Sequence, residues 1–553
     1  MTTSSRPRKV VIVGGVAGGM SAATRLRRLD ETAQIVVFER TPEVSYANCG
    51  LPYYVGGTIE DRSALLLQTP ASLHRRFRLD VRVRHEVTAI DTAAKTVEVT
   101  DLATGGTASE SYDTLILALG ARPRRDEPSG GVPVLSLRTV GDADAIHAAL
   151  DRPGTPVVVV GGGYTGLEAV ENLVARDARV TLVQRGAQLL SPLDPEMAQP
   201  IAAEVRGRGV DVRLGVTIDR VEGGEVVLTD GTRMPAALIV DASGVVPERE
   251  LAASAGLRIG ETGGIWVDEA CRTSDPDVFA VGDGVEKTDL IGGDAALVTM
   301  AGLANRHGRM VADVIAGRTE SARPALGTGI VGVFGIAAGK VGWSEKQLRD
   351  ANRPHYVVHV HPGSHAGYYP GAETLSMKLL ADPETDRILG AQVVGRDGVD
   401  KRIDVIATAM HAGLPAAELA QLELAYAPQF GSAKDAVNFV GYVAENTRTG
   451  TTPTVQWHEL DDVIAEGATL VDVRSAAEHA AGAIPGAVNV SLDELRERLH
   501  ELPDGPLVVH CQVGLRGHIA TRLLRQLGRD VRNLDGGYRT WTAGTASRTA
   551  AAR

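Results

Sequence analysis

Residues 9–39 read KVVIVGGVAGGMSAATRLRRLDETAQIVVFE and decide the fold of the first part of the chain. Residues 9–13 form an apolar run that predicts a buried parallel strand, and the glycine-rich turn behind it leads into a helix from about Met20. A second apolar run ends in Glu39, about 20 residues after the glycines. This order of strand, turn, helix, strand and acid is typical of a dinucleotide-binding unit, and a tight turn without a ligand is the alternative.

A second pattern of the same kind begins at residue 156 and reads PVVVVGGGYTGLEAVENL. Its second strand, 180–183, ends in Gln184 and Arg185 instead of an acid. An acid at this place favours NADH through the ribose 2′-hydroxyl, whereas an arginine accommodates the 2′-phosphate of NADPH. The chain is therefore predicted to bind two dinucleotides, one of them NAD(P)H with weak discrimination.

Three later apolar strands are predicted at 114–120, which ends in glycine, at 237–241, which leads to Gly244 and Pro247, and at 277–284, which contains the pair Gly282 and Asp283. We expect 114–120 to return to the first sheet. The last one, DVFAVGDG, is expected to rejoin the first domain after the second has been inserted.

Length, charge and cysteine content restrict the class of protein. A chain of 553 residues predicts roughly three to five domains, and its net charge of −12 argues against nucleic acid as a general partner. Its three cysteines, Cys49, Cys271 and Cys511, are too far apart for a disulfide framework, so a reducing cytoplasm is the expected location. The sequence has no run of ~18 apolar residues that would predict a membrane span. Cys271 lacks a basic or glycine-rich setting and is expected to be structural.

The segment SYANCGLPYY, residues 45–54, places Cys49 just after the first dinucleotide unit. A dithiol enzyme of this type would need a second cysteine five positions on, where the chain has Tyr54. The missing sulfur is therefore expected to come from a substrate.

The helix after the first glycine turn carries Ser21, Arg25 and Arg28, whose spacing puts them on one face. A solvated polar stripe explains this face. A binding face for a phosphate-bearing substrate explains it equally well, because the helix leads from the expected pyrophosphate site towards Cys49.

Taken together, residues 8 to about 445 resemble the FAD-dependent pyridine nucleotide–disulfide oxidoreductase family, and SYANCGLPYY resembles its single-cysteine branch of coenzyme A-disulfide reductases and related NADH oxidases. The resemblance implies an α/β protein with two Rossmann-like dinucleotide-binding domains and an α+β dimerisation domain that makes a homodimer. The expected segments are 1–152 and 244–324 for FAD, 153–243 for NAD(P), and 325–445 for dimerisation.

The resemblance also assigns site residues. Those expected to bind the two dinucleotides are Gly14, Ala17, Gly18, Glu39, Arg40, Asn48, Ala118, Gly120, Asp283, Gly161, Gly163, Tyr164, Gly166, Glu168, Arg185 and Gly244. Those expected to contact coenzyme A are Ser21, Arg25, Arg28, Ser45, Asn48, Asn305 and Lys434. Tyr368 and Tyr426 are expected to approach the partner subunit's Cys49. The neighbouring His359, His361 and His365 lack the cysteines and clustered acids of a metal site, so no metal is predicted.

The C-terminal part, 455–545, follows a polar segment, 446–454, that is expected to be a linker. It contains DVRSAAEHAAGAIPGAVN and, further on, Cys511 followed five residues later by Arg516, and it resembles a rhodanese domain. Loop N–H groups and Arg516 would stabilise the Cys511 thiolate, which would accept sulfane sulfur as a persulfide. A module that only carries sulfur or docks another protein is the alternative.

The combined expectation is an enzyme in which NAD(P)H reduces FAD, and FAD reduces a sulfur held on Cys49. In the resting form Cys49 would be in a mixed disulfide with coenzyme A, and the substrates would be coenzyme A disulfide, coenzyme A persulfide or polysulfide. The rhodanese domain would supply the sulfane sulfur. An NADH oxidase or peroxidase that cycles Cys49 through a sulfenic acid is the alternative.

Overall fold

A computed structural model describes residues 7–124 and 130–551 of the chain, with the side chains of 549–551 left out. Residues 1–6 of the predicted FAD segment lie outside this description. The chain divides into two compact units. The first comprises Met1–Gly161, Glu168–Leu182 and Ile218–Gly327 as far as they are described, and the second comprises Gly162–Leu167, Val183–Thr217 and the described part of Thr328–Arg553.

The first unit is built on a parallel five-stranded sheet. Its strands, in spatial order, are Val278–Ala280, Thr114–Leu117, Lys9–Val13, Gln34–Glu39 and Asp80–Val83. Valine, isoleucine and leucine fill the central strands, which are buried on both faces as a parallel sheet requires. The prediction that 114–120 returns to the first sheet is confirmed, because Thr114–Leu117 pairs with Val10–Val13. The strand Val278–Ala280 pairs with Leu115–Leu117 and so joins the same sheet.

The helix of the first glycine turn begins at Ala17 and ends at Leu29, so its predicted start near Met20 was too late. Glycines are found inside this helix because neighbouring backbone packs closely against it. A Cβ on Gly19 would overlap the carbonyl oxygen of Gly14, and a Cβ on Gly308 of the helix Ala301–Ile315 would overlap that of Gly18. These glycines are therefore needed inside the helices, where they would ordinarily weaken the helix.

The remaining strands of the first unit form a second parallel group, two three-stranded antiparallel sheets and two short two-stranded ribbons. Pro156–Val160 pairs with Leu238–Asp241, which pairs with Val134–Ser136. The antiparallel strands are His85–Asp91, Thr96–Asp101, Thr107–Ser111, Ile218–Glu222, Glu225–Leu228 and Arg233–Pro235. Its other helices are Leu51–Val55, Pro70–Phe77, Val140–Ala149 and Glu250–Ser254. The helix Tyr164–Val174 and the strand Arg179–Gln184 follow the second glycine turn, as predicted.

The second unit contains an antiparallel five-stranded sheet covered by helices, which confirms the α+β prediction for this part. Its strands are Gly329–Val333, Ile336–Gly342, Ile388–Gly395, Ser376–Ala381 and Tyr356–Val360, in spatial order. Its helices are Pro195–Gly207, Glu345–Asp350, Val399–Ala412 and Ala436–Arg448.

The C-terminal part of the second unit is a parallel sheet flanked by helices, which confirms the α/β prediction. Its strands are Thr454–Val455, Val531–Leu534, Leu507–His510, Thr469–Asp472 and Val488–Asn489. Its helices are Leu460–Ala465, Ala476–Ala480, Leu515–Gln526 and Gly537–Ala551.

The segment expected to be a linker, 446–454, is held against this C-terminal sheet domain. It starts as the last turn of the helix that ends at Arg448. Thr452 is buried and its hydroxyl is hydrogen-bonded to His518 Nδ1 at 2.7 Å, while Arg522 Nη1 donates to the Thr451 carbonyl at 2.7 Å. These contacts fix the exit of the chain into the C-terminal domain.

Candidate active site

The first glycine turn fits the pyrophosphate and ribose of a dinucleotide. Gly14 has a φ of +105°, and a Cβ there would overlap the carbonyl oxygen of Ala118. The Gly15 N–H donates to Glu39 Oε2 at 2.7 Å, and the other Glu39 oxygen accepts the Thr41 N–H at 2.8 Å. The helix from Ala17 has no side-chain cap and no acid in its first turn. Its bare N–H groups are therefore available to an anion, and Glu39 is fixed beside them.

Further predicted residues lie around this turn in the first unit. Gly120 and Gly244, at φ of +74° and +131°, come just before the paired strands Ala121–Pro123 and Val245–Pro247. Arg40 forms an ion pair with Glu248 at 3.6 Å. This short ribbon therefore belongs to the same edge of the first unit.

A buried lysine, Lys287, lies next to Asp283 and was missed in the sequence. Its ammonium donates to the carbonyl oxygens of Gly282 and Val285 at 2.6 and 2.8 Å, and burial lowers its pKa to about 8. Asp283 also has Arg138 Nη2 at 3.8 Å. The carboxylate of Asp283, just after the strand Val278–Ala280, thus lies near two cationic side chains, Lys287 and Arg138.

The second glycine turn repeats the first with one change of charge. Gly162 donates its N–H to Gln184 Oε1 at 2.9 Å, so a neutral amide occupies the place that Glu39 has in the first turn. Gly161 has a φ of +101°, and a Cβ at Gly163 would meet nothing within 4 Å. Arg185 is exposed, Gly166 is buried, and burial raises the pKa of Tyr164 to about 12. An amide beside the turn does not repel a second phosphate as a carboxylate would.

Cys49 lies in a single 3-10 turn, Asn48–Gly50, that runs into the helix Leu51–Val55. The turn is held by Asn48, whose Nδ2 donates to the Arg138 carbonyl at 2.7 Å, and Ser45 adopts a left-handed φ of +51°. Cys49 is exposed. Desolvation raises the pKa of its thiol, and the carboxylates of Glu168 and Asp283 add to this. Desolvation and these two carboxylates therefore shift the Cys49 equilibrium from the thiolate towards the neutral thiol.

The residues after Cys49 show what replaces the missing second cysteine. The ring of Tyr54 stacks on His147 of the helix Val140–Ala149, with 5.2 Å between ring centroids. Tyr53, which the sequence did not single out, donates its hydroxyl to Glu168 Oε1 at 3.5 Å. Burial raises the pKa of Glu168. Position 54 is thus a packing residue, and Glu168 is a carboxyl group whose charge acts on the Cys49 thiol.

Two residues of the predicted stripe, Ser21 and Arg25, contact the helix Ala301–Ile315. The hydroxyl of Ser21 donates to Asn305 Oδ1 at 2.6 Å, so the structure brings two predicted coenzyme A contacts together. Arg25 is instead bound by Asp313 through both Nε and Nη2, at 3.2 and 2.6 Å. Arg28 donates Nε to the carbonyl of Thr24 at 3.0 Å. Asp313 was missed because it lies 288 residues from Arg25 in sequence.

In the second unit, Tyr368 and Tyr426 lie side by side with their hydroxyls hydrogen-bonded at 2.8 Å. They are 76% and 48% exposed, and Phe430 nearby in the sequence is 65% exposed. Lys434 is exposed as well. Exposed aromatic residues of this kind are typical of a surface that a partner covers.

Cys511 lies at the end of the strand Leu507–His510 and is fully buried. The Gly514 N–H donates to its Sγ at 3.2 Å, just before the helix Leu515–Gln526. Arg516 lies near the thiol, but its guanidinium makes two hydrogen bonds to Glu478, at 2.7 and 2.6 Å. The loop therefore supplies an N–H donor to the sulfur, while much of the arginine's charge is neutralised by Glu478.

Two of the three histidines that the sequence analysis considered as metal ligands are hydrogen-bonded to protein groups of the second unit. His359 binds the carboxylates of Asp535 and Glu196, and His361 is hydrogen-bonded to Ser376 and Thr540 at 3.0 and 2.8 Å. Three buried carboxylates, Asp194, Glu196 and Glu345, converge nearby on the ammonium of Lys378 at 2.5–2.9 Å. A protein cation thus occupies the centre of this acidic group.

None of the helices within 7–124 and 130–551 is both long and apolar enough to cross a membrane.

Comparison with known proteins agrees with this geometry. Three protein-family models match the chain. The pyridine nucleotide-disulphide oxidoreductase model matches residues 8–308, the model of the dimerisation domain of that family matches 329–437, and the rhodanese-like domain model matches 456–544. The coenzyme A disulfide reductase of Staphylococcus aureus (strain JH9) is 35% identical over 443 residues, which are 79% of this chain and 100% of that protein.

Two solved structures match almost the whole chain. Reduced Bacillus anthracis CoADR-RHD has a TM-score of 0.95 and 43% identity, over 98% of this chain and 99% of that one. The NAD-dependent persulfide reductase from A. fulgidus has a TM-score of 0.91 and 35% identity, over 96% and 100%. The chain therefore belongs to the pyridine nucleotide-disulphide oxidoreductase family, as an FAD-dependent oxidoreductase with a C-terminal rhodanese-like domain and homology to the coenzyme A disulfide reductases.

Proposed function

We propose that this protein uses NAD(P)H to reduce coenzyme A disulfide, coenzyme A persulfide or polysulfide at Cys49. The observation that carries the proposal is the lone exposed thiol of Cys49, with a packed tyrosine at the position where a dithiol enzyme would have its second cysteine. The oxidised form of a single thiol is a mixed disulfide with a small thiol or an oxygenated sulfur. The related coenzyme A disulfide reductase and persulfide reductase favour the disulfide.

The two glycine turns would hold the cofactors. Those expected around FAD include Gly14, Ala17, Gly18, Glu39, Arg40, Asn48, Ala118, Gly120 and Asp283, and those around NAD(P)H include Gly161, Gly163, Tyr164, Gly166, Glu168, Arg185 and Gly244. When bound, FAD would accept electrons from NAD(P)H and would supply two of them to the sulfur held on Cys49. The amide of Gln184 supports use of NADPH as well as NADH, since it adds no negative charge near the glycine turn.

The thiolate of Cys49 attacks one sulfur of coenzyme A disulfide, forms a mixed disulfide and releases one coenzyme A thiolate. With coenzyme A persulfide, attack on the sulfur bonded to carbon forms the same mixed disulfide and releases hydrosulfide. Two electrons and a proton then give back the Cys49 thiolate and free coenzyme A. Glu168, whose pKa burial raises, is placed to hold that proton.

Coenzyme A would bind along the Ser21–Asn305 contact, with Arg28, Ser45 and Asn48 as further contacts. Arg25 keeps its predicted role only by sharing its charge between Asp313 and a phosphate. We propose a homodimer, in which Tyr368 and Tyr426 approach the partner subunit's Cys49 and Lys434 approaches its coenzyme A. The exposure of both tyrosines supports this. The three cysteines of the chain are free thiols, which supports a location in a reducing cytoplasm.

The C-terminal domain would load sulfane sulfur onto coenzyme A. The Cys511 thiolate attacks the outer sulfur of a donor such as thiosulfate and releases sulfite, which leaves a persulfide on Cys511. A coenzyme A thiolate then attacks the outer sulfur of that persulfide, which forms coenzyme A persulfide and releases the Cys511 thiolate. The Gly514 N–H bond to Sγ supports a nucleophilic thiolate in this loop.

Kinetics of two matched cysteine variants test the proposal. Cys49→Ser should abolish NADH-dependent reduction of coenzyme A disulfide and sulfide release from polysulfide. Cys511→Ser should keep the reduction of coenzyme A disulfide and lose sulfide release from donors that load Cys511. Sulfide release by Cys49→Ser at the wild-type rate would contradict the proposal.

A further inference from the structure

A buried hydrogen-bonded contact joins the C-terminal sheet domain to the antiparallel domain of the second unit. His359 belongs to the strand Tyr356–Val360, and Asp535 directly follows the strand Val531–Leu534. The His359 backbone N–H lies 2.9 Å from Asp535 Oδ2, and the ring Nδ1 lies 2.8 Å from the same oxygen. Only 1% and 3% of these two side chains is exposed. Two bonds from His359 therefore converge on one buried carboxylate oxygen, which also accepts a hydrogen bond from Gln456 Nε2 at 3.2 Å.

The histidine of this contact is charged. Although burial opposes the charge, hydrogen bonds to Asp535 and Glu196 raise the pKa of His359 to about 9. Its Nε2 lies 3.1 Å from Glu196 Oε1. The other charged groups of the cluster, reached through Glu196 or adjoining His359, are Lys378, Glu345, Asp194 and Arg539. Burial lowers the pKa of the adjoining His361 to about 3, so this histidine is neutral. A buried imidazolium held at both nitrogens by carboxylates is sensitive to the loss of either one.

Asp535 is also the first residue of the turn that packs against the Cys511 loop. Gly536 and Gly537 follow it with φ of +65° and +62°, and a Cβ on Gly537 would crowd the Cys511 carbonyl and the N–H groups of Val513 and Gly514. The next two residues donate their backbone N–H groups to the carbonyls of Cys511 and Gln512, at 2.8 and 3.0 Å. A shift of Asp535 would therefore reach the loop through this rigid turn.

We propose that Asp535 is a positioning residue for the rhodanese centre. Its contact with the charged His359 of the neighbouring domain holds the turn 535–538, and through it the loop 511–514, in the conformation that directs the Gly514 N–H at Cys511 Sγ. The reactivity of Cys511 thus depends on docking to the body of the protein. The C-terminal domain is a built-in part of that body and does not act as an independent sulfur carrier.

The test uses the full-length protein and two variants on opposite sides of the contact, Asp535→Asn and His359→Gln. The rate of Cys511 alkylation by iodoacetamide is followed against pH by peptide mass mapping, together with persulfide loading from thiosulfate. Asp504→Asn, at an exposed position of the same domain, is the matched control. The pairs Arg516–Glu478 and Arg474–Asp472 beside the loop are unchanged in all variants.

We expect both contact variants to raise the pH midpoint of alkylation by about 1 unit and to slow persulfide loading ~10-fold. Reduction of coenzyme A disulfide at Cys49 should keep the wild-type rate. If either variant folds, with a cooperative thermal transition, and matches the wild type in both the midpoint and the loading rate, the proposal is wrong. This readout does not depend on the chemistry at Cys49, so a failure of the proposed reductase function would be seen separately.

Discussion

The preference between NADPH and NADH is predicted to depend on the charge of the side chain at position 184. Gln184 accepts the Gly162 N–H at 2.9 Å, and Glu39 does the same for Gly15 at 2.7 Å in the first turn. Gln184→Glu keeps the size and the acceptor and adds one negative charge beside the turn. The amide is half-buried, so the effective dielectric lies between that of water and that of the protein surface.

Two unit charges ~4 Å apart interact by about 1 kcal/mol in water and about 4 kcal/mol at a protein surface. We take ~1.4–2.8 kcal/mol for repulsion of a 2′-phosphate, which corresponds to a loss of about 10–100-fold in kcat/KM for NADPH. NADH, whose ribose carries hydroxyls only, should be used at the wild-type rate or better.

Steady-state kinetics with both nucleotides and coenzyme A disulfide measure this shift. Gln199→Glu, on the helix Pro195–Gly207 of the same unit, adds the same charge away from the turn and should leave the ratio unchanged. A ratio of kcat/KM values for NADPH and NADH that moves by less than about twofold in Gln184→Glu would refute the electrostatic reasoning.

Three further outcomes are expected. Lys378→Met leaves three buried carboxylates without their cation, so it should lower the free energy of unfolding by about 3–5 kcal/mol and the calorimetric Tm of this unit by roughly 6–20 °C. Lys346→Met, at an exposed ion pair, should cost only ~0–1 kcal/mol. Equal Tm values for the two variants would contradict this prediction. Ser21→Ala removes the hydrogen bond to Asn305 and should raise KM for coenzyme A disulfide about 3–10-fold with kcat unchanged, and a fall in kcat alone would speak against a binding role. The pKa of His359 is raised to about 9, so its contribution to stability is complete below pH ~6.5 and is lost as the pH rises through 9. The Tm of the wild type should therefore fall between pH 6.5 and 9.5, and the Tm of His359→Gln should fall by a smaller amount.

Local patterns predicted the parts of the fold that depend on neighbouring residues. The glycine turns, the apolar parallel strands and the loop at Cys511 all follow from short-range rules about backbone geometry and burial. The helix start at Ala17 was misplaced because Gly18, inside this helix, is packed against Gly308 of a helix that is distant in sequence.

The groups that the sequence did not reveal are long-range charge pairs. Arg25 and Asp313 are 288 residues apart, and His359 and Asp535 are 176 apart. Nothing in the neighbourhood of Arg25 distinguishes a phosphate ligand from one half of an ion pair, since both place an arginine on a polar helix face. Lys378 likewise lies in an otherwise apolar strand, and only the fold shows that three carboxylates surround it.

The central claim is that Cys49 pairs with coenzyme A, and the most direct measurement is the mass of the purified protein before and after anaerobic reduction by NADH. The account predicts one coenzyme A bound to Cys49 through a disulfide, released as free thiol in proportion to the NADH oxidised, and no adduct in Cys49→Ser. A Cys49 that carries only sulfenic acid, with NADH consumed by oxygen or peroxide and no coenzyme A released, would contradict it.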